Sequence, residues 1–204
     1  MYLSEEEIED FRKDPSNQNW RQICLHNFLS EDFIREFHSQ FEWTDWNSIC
    51  QRQFLSENFI REFKDSVIWD PICKFQKLSE NFILEFSNKI RWDTIFYYQK
   101  LSECFIEKYG KNYWQIIFAN QDLSEDFIIK HQDESGFDGI WGNQKLSEKF
   151  IRLFIDRAHW YNISMYQNLS PKFIAEFKHE LYFSRLLENK KLSQDTKDYI
   201  RMFV

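Results

Sequence analysis

The sequence predicts an all-α fold: an α-solenoid of about eight ~23-residue helix-turn-helix repeats with a C-terminal capping helix. Three observations predict it. The dipeptide Leu-Ser recurs at Leu3, Leu29, Leu55, Leu78, Leu101, Leu123, Leu146, Leu169 and Leu192, at spacings of 26, 26, 23, 23, 22, 23, 23 and 23 residues. Each Ser opens a stretch with the chemistry of a helix start. The second half of each repeat is only about two turns long, too short to hold a helix in water on its own, so each repeat must be stabilised by its neighbours. The chain therefore reads as one repeat domain over residues 1–204, with repeats beginning at 3, 29, 55, 78, 101, 123, 146 and 169 and a cap at 192–204.

The first helix of each repeat follows L-S-E-x-F-I-x-x-F, as in Leu78-Ser79-Glu80-Asn81-Phe82-Ile83-Leu84-Glu85-Phe86. Ser is a preferred N-cap, and the Glu after it complements the positive end of the helix dipole. Pro171 directly after Ser170 fixes this register, because proline suits the first helical position. Leu then stands at N′ and Ile at N4, the positions of a hydrophobic staple. Phe33, Ile34 and Phe37 share one apolar face.

The second helix follows W-[D/N]-x-I-x-x-x-Q, and its N-cap is expected after the Trp, at Asn47, Asp70, Asp93, Asp138 or Ser184, with Pro71 at the first helical position. Repeats one and two carry three extra residues between the Phe and Trp landmarks, which predicts an exposed loop. The ends differ as caps should. Ser4 to Glu7 forms a capping box, and after Ser193 the pattern has Thr196 and Lys197 where Phe and Ile are expected, with Tyr199 and Ile200 restoring it three residues late.

Residues that recur in every repeat are read as scaffold. Trp20, Trp46, Trp69, Trp92, Trp114 and Trp160 are assigned to the stacked core. The amides Asn27, Gln53, Gln76, Gln99, Gln121, Gln144 and Gln167 need hydrogen-bond partners once buried. They form either a ladder along the array or a cap on the turn into the next Leu-Ser. The row Glu5, Glu31, Glu57, Glu80, Glu103, Glu125 and Glu148 is explained by helix capping, with an acidic edge for a cation or basic partner as the alternative. Cys24, Cys50 and Cys73 occupy one equivalent position, and with Cys104 they are expected as reduced, half-buried thiols.

A net charge of −7 disfavours nucleic-acid binding through phosphate neutralisation. No apolar run approaches a membrane span, and no secretory leader is read, so an intracellular, unsecreted protein is expected and two N-x-[ST] matches carry no weight. The motifs H-E-x-x-H, G-x-x-x-x-G-K-[ST], G-x-S-x-G and paired C-x-x-C are absent. His26, His38, His131, His159 and His179 scatter over different slots and read as surface residues. The sequence predicts no enzyme, catalytic residue, metal or cofactor.

Function is expected where the pattern breaks. The repeat beginning at Leu123 carries Gly136, Phe137, Gly139, Trp141 and Gly142, read as a kink, hinge or exposed binding loop, with local repacking as the alternative. The variable position before the amide holds Phe75, Tyr98 and Tyr166. With Tyr97, Tyr161 and Trp141, these supply aromatic anchors of the kind enriched at interfaces, unless they fill the space between repeats.

The pattern L-S-E-x-F-I-x-x-F…W-D-x-I-x-x-x-Q-K, from Leu3 to about Lys191, resembles that of short-helix tandem-repeat proteins encoded by large amoeba-infecting DNA viruses, Marseillevirus-like ones included. That resemblance implies a host cytoplasm, nucleus or viral-factory setting and brings no catalytic residues. The sequence thus predicts a non-enzymatic scaffold for protein or peptide binding, monomeric or weakly self-associating. A structural component of a viral particle or factory is the alternative.

Overall fold

The computed structural model describes residues 2–202. It is all-helical apart from an isolated bridge between Tyr2 and Phe28. The chain divides into two compact units, Met1–Gln99 and Lys100–Val204. The first holds α1 Glu5–Lys13, α2 Trp20–His26, α3 Glu31–Phe37, α4 Trp43–Arg52, α5 Glu57–Glu62, α6 Trp69–Phe75, α7 Glu80–Glu85 and α8 Trp92–Tyr98. The second holds α9 Glu103–Tyr109, α10 Trp114–Asn120, α11 Glu125–Lys130, α12 Ile140–Asn143, α13 Glu148–Leu153, α14 Trp160–Tyr166, α15 Pro171–Glu176, α16 Phe183–Glu188 and α17 Gln194–Arg201. Odd-numbered helices follow Leu-Ser, and even-numbered ones start at or near the Trp landmark or its substitute. Within each unit the repeats stack in the manner of an α-solenoid: α2 on α4, α4 on α6 and α6 on α8 in the first, α10 on α12, α12 on α14 and α14 on α16 in the second.

The predicted first-helix register holds. From Ser30 to Ser193, the hydroxyl of each Leu-Ser serine accepts the N–H of the residue three places on, at 3.1–3.2 Å. Ser4 and Glu7 form the capping box. The Phe and Ile that follow each cap from Phe33 to Ile174 are buried.

The second helices α6, α8 and α16 start two residues earlier than the sequence suggests. The landmark Trp is the first helical residue of α2, α6, α8, α10 and α14, Asp70 and Asp93 are second, and Pro71 is third, where its missing N–H still costs no helix bond. The true caps, Ile68, Arg91 and Tyr182, have no capping side chain. Their own N–H groups are held from the preceding repeat instead, Ile68 by Cys50 Sγ at 3.4 Å and Tyr182 by Ser164 Oγ at 3.0 Å.

Nor do the extra residues of the first two repeats form plain loops. In repeat one they lengthen α1 and add a 3₁₀ turn, Pro15–Asn17; in repeat two they add a 3₁₀ turn, His38–Gln40, and a helical turn at the start of α4. Reciprocal capping between Glu42 and Asp45 fixes that turn, with the Glu42 N–H donating to Asp45 Oδ2 at 2.9 Å. At the C-terminus α17 keeps the regular register rather than shifting: Thr196 takes the Phe slot and Ile200 the final aromatic slot, both buried.

Candidate interaction surface

The recurrent Trp, Gln and Glu are consumed in joining repeats. Within each unit, rings in the Trp slot pack on the ring that ends the next first helix. Centroid separations are 5.1 Å for Trp20 and Phe37, 5.3 Å for Trp46 and Phe63, 4.8 Å for Trp69 and Phe86, and 5.2 Å for Trp160 and Phe177. Trp46 and Trp114 are buried, while Trp69, Trp92 and Trp160 are half-buried. In the second unit Trp114 meets His131 at 4.1 Å, stacked, and Glu107 accepts from His131 Nε2 at 2.8 Å. His131 is therefore a stacked member of the aromatic row and not a surface histidine; His26, His38, His159 and His179 are exposed.

The amides clamp backbone. Gln76 Nε2 donates to the carbonyls of Cys50 and Gln53 at 2.9 and 2.8 Å, and its Oε1 accepts the Leu55 N–H at 3.0 Å. Gln53, Gln99, Gln144 and Gln167 repeat this three-bond arrangement, and Gln121 accepts from Leu101. Each amide thus closes the turn that precedes its own repeat. The ladder runs from side chain to backbone, satisfying carbonyls that a helix end leaves open. Asn27, with no earlier repeat turn to clamp, bonds back to Ile23 in its own helix. Asn189 supplies the eighth amide, one residue nearer the chain start than the regular slot, and donates to Ser164 and Gln167.

The Glu row is not an open acidic edge. Glu31, Glu57, Glu103, Glu125 and Glu148 each accept the N–H of the Ser that opens the next repeat, at 2.6 Å in four cases; the fifth joins Ser147 to Glu125. Arginines stitch the same face. Arg35 pairs with Glu62 and Arg61 with Glu85, and each guanidinium also lies about 5 Å over a Phe ring of the next repeat. Arg152 does the same with Glu176 and Phe173 in the second unit. Arg12 holds the Glu36 carboxyl below the usual range, Lys130 and His131 do so for Glu107, and Arg152 for Glu176.

Cys24, Cys50 and Cys73 are fully buried rather than half-buried, and burial pushes their thiols up to about 12, 12 and 11. Cys104 is exposed, and all four are free. Among the described residues no group of His, Cys, Asp or Glu is placed to hold a metal, and no helix is long and apolar enough to cross a membrane.

The residues singled out as anchors fall into two sets. Phe137 and Trp141 are core. Phe137 takes the Trp slot and packs on Phe154 at 5.3 Å, while Trp141 fills the slot of Cys50 and Cys73 and is completely buried. The irregular repeat has been repacked inward, so neither ring is presented at its surface. Gly136 turns the chain at φ +87°, Gly139 ends the 3₁₀ turn Phe137–Gly139, and Gly142 lies against the Tyr166 ring.

The second set is exposed. In the first unit Phe75, Tyr97 and Tyr98 are 56%, 52% and 49% accessible, with Tyr97 and Tyr98 at 4.6 Å. Phe75 and Tyr98 hold equivalent places on the packed helices α6 and α8. In the second unit Tyr161 and Tyr166 are exposed on α14, and Tyr161 meets Tyr182 edge-on at 5.7 Å with Arg185 over its ring. Sequence reasoning missed Tyr182, which stands at a cap position that the two-residue error in the second-helix start concealed. No protein-family model, curated protein or solved structure matches the chain.

Proposed function

We propose that the protein is a non-enzymatic scaffold that binds a protein or peptide through the exposed aromatic face of its second helices. The carrying observation is the division of labour among the rings. Those at recurrent slots are spent between repeats, whereas Phe75, Tyr97 and Tyr98 stay about half accessible on helices whose ends are fixed by the Gln clamps. Rigid aromatic side chains lose little conformational entropy on docking and are typical interface anchors. The second unit offers a comparable group in Tyr161, Tyr166 and Tyr182. The resemblance of the repeat motif supports an intracellular setting in a virus-infected cell.

The test is capture of partners by the immobilised full chain, followed by titration of each purified candidate against the wild type and a Phe75→Ala, Tyr97→Ala, Tyr98→Ala variant. Specific binding weakened at least about ten-fold by the triple substitution, with helicity unchanged, supports the reading. Binding indifferent to both aromatic groups refutes it.

A further inference from the structure

The three extra residues in each of the first two repeats are not needed by the stack, since the later repeats close without them. What they line is an open-sided, largely solvent-facing polar cavity of about 700 Å³ beside the N-terminal ends of α2 and α4. The segments around the insertions, residues 16–21 and 40–45, supply all of its lining.

We propose that this cavity binds a neutral, hydroxyl-rich small molecule of the saccharide class. Its walls carry the amides of Asn17, Gln18 and Gln40 and the hydroxyl of Thr44, groups that both donate and accept, as vicinal hydroxyls require. Gln18 Nε2 is committed to the Asp14 carbonyl at 2.9 Å, while the side chains of Asn17 and Thr44 have no hydrogen-bond partner among the described residues. Asp45, only 4% exposed, lines the cavity with one carboxylate oxygen engaged by the Glu42 N–H. Its charge and that of Glu42 oppose an anion, and Arg21, which makes no ion pair among the described residues, opposes a cation. A neutral polyol suits both.

Trp43 adds an independent observation. It belongs to the inserted turn, stands between the lining residues Glu42 and Thr44, and is 66% exposed, whereas the core indole of this repeat is Trp46. Trp43 is not itself one of the lining residues; its exposed indole, in the same inserted turn, is a flat apolar surface of the kind that meets the C–H face of a sugar ring.

The experiment applies the full chain to an array of neutral, sialylated and sulfated di- to tetrasaccharides, then titrates the best neutral binder by tryptophan fluorescence. Expected are selective retention of neutral sugars and a loss of at least about ten-fold in affinity for both Trp43→Ala and Asn17→Ala, with helicity intact. Phe75→Ala, in the protein-binding face, should leave sugar binding unchanged, which separates this site from the proposed scaffold function. Preference for charged sugars, no neutral binder below about 10 mM, or full binding by Asn17→Ala would each overturn the proposal.

Discussion

Replacing Gln76 with alanine removes three hydrogen bonds at one buried point. The Cys50 and Gln53 carbonyls lose their donor and the Leu55 N–H loses its acceptor. A typical internal hydrogen bond contributes about 0.5–1.5 kcal/mol net, and a buried group left unsatisfied costs about 1–3 kcal/mol. With partial access of water to the opened turn, the loss is about 3–5 kcal/mol. Asn27→Ala is the internal control, because Asn27 makes only a 3.2 Å bond to its own helix, and about 1 kcal/mol or less is expected there. Gln76→Glu keeps the shape but turns an oxygen towards two carbonyls. It should destabilise more than alanine at neutral pH and recover partly in acid, where the introduced carboxyl can donate. Urea unfolding followed by circular dichroism gives the overall change, and amide exchange at Leu55 reports the turn itself, since stability in repeat arrays is locally distributed. A Gln76→Ala protein within about 1 kcal/mol of Asn27→Ala, with Leu55 still protected, would refute the clamp.

Gly136→Ala should destabilise by well over about 1 kcal/mol, because the residue is left-handed and an added Cβ would lie 2.5 Å from Gln115 Cα. Gly139→Ala meets open space and should be neutral or stabilising by up to about 1 kcal/mol; thermal melts compare the two. A thiol reagent at pH 8 should label Cys104 at once and Cys24, Cys50 and Cys73 only on unfolding, with rapid labelling of more than one thiol refuting their burial. Glu36, Glu107 and Glu176 have lowered folded pKa values, so their contribution is complete above the ordinary value of about 4.3 and is lost as pH falls through the lower folded ones. Urea midpoints should therefore drop in acid, less steeply for Arg152→Ala and less steeply in high salt.

The stacking order was legible because a repeat writes each core position many times over, and Ser caps and Leu-Ile registers follow local rules that tertiary context did not override. Misreadings arose where one repeat supplies what another lacks. Asp70 resembles an N-cap, yet Ile68 holds that place because the Cys50 thiol takes its N–H. Trp141 looked like an added surface ring. Its place three residues before Gln144 matches Cys73 before Gln76 and Phe118 before Gln121, which identifies a core slot. The inserted turn carried a readable signal in Glu42-Trp43-Thr44-Asp45, a capping pair whose Glu is an uncommon cap residue. The accessible face could not be separated from the core by composition, since both are aromatic. Only the geometry distinguishes Tyr98 from Phe96, two residues apart on α8 and opposite in exposure.

Every Gln clamp points backwards: the amide lies 21–24 residues after the Leu whose N–H it holds, except at Leu101, where the interval is 20. During synthesis each turn therefore leaves the ribosome open and stays so until the following repeat has been made. At roughly 5–20 residues per second, that interval is about one to five seconds. The nascent chain is thus latched from its older end towards its newer one, and only the most recent turn is exposed to misassembly at any moment.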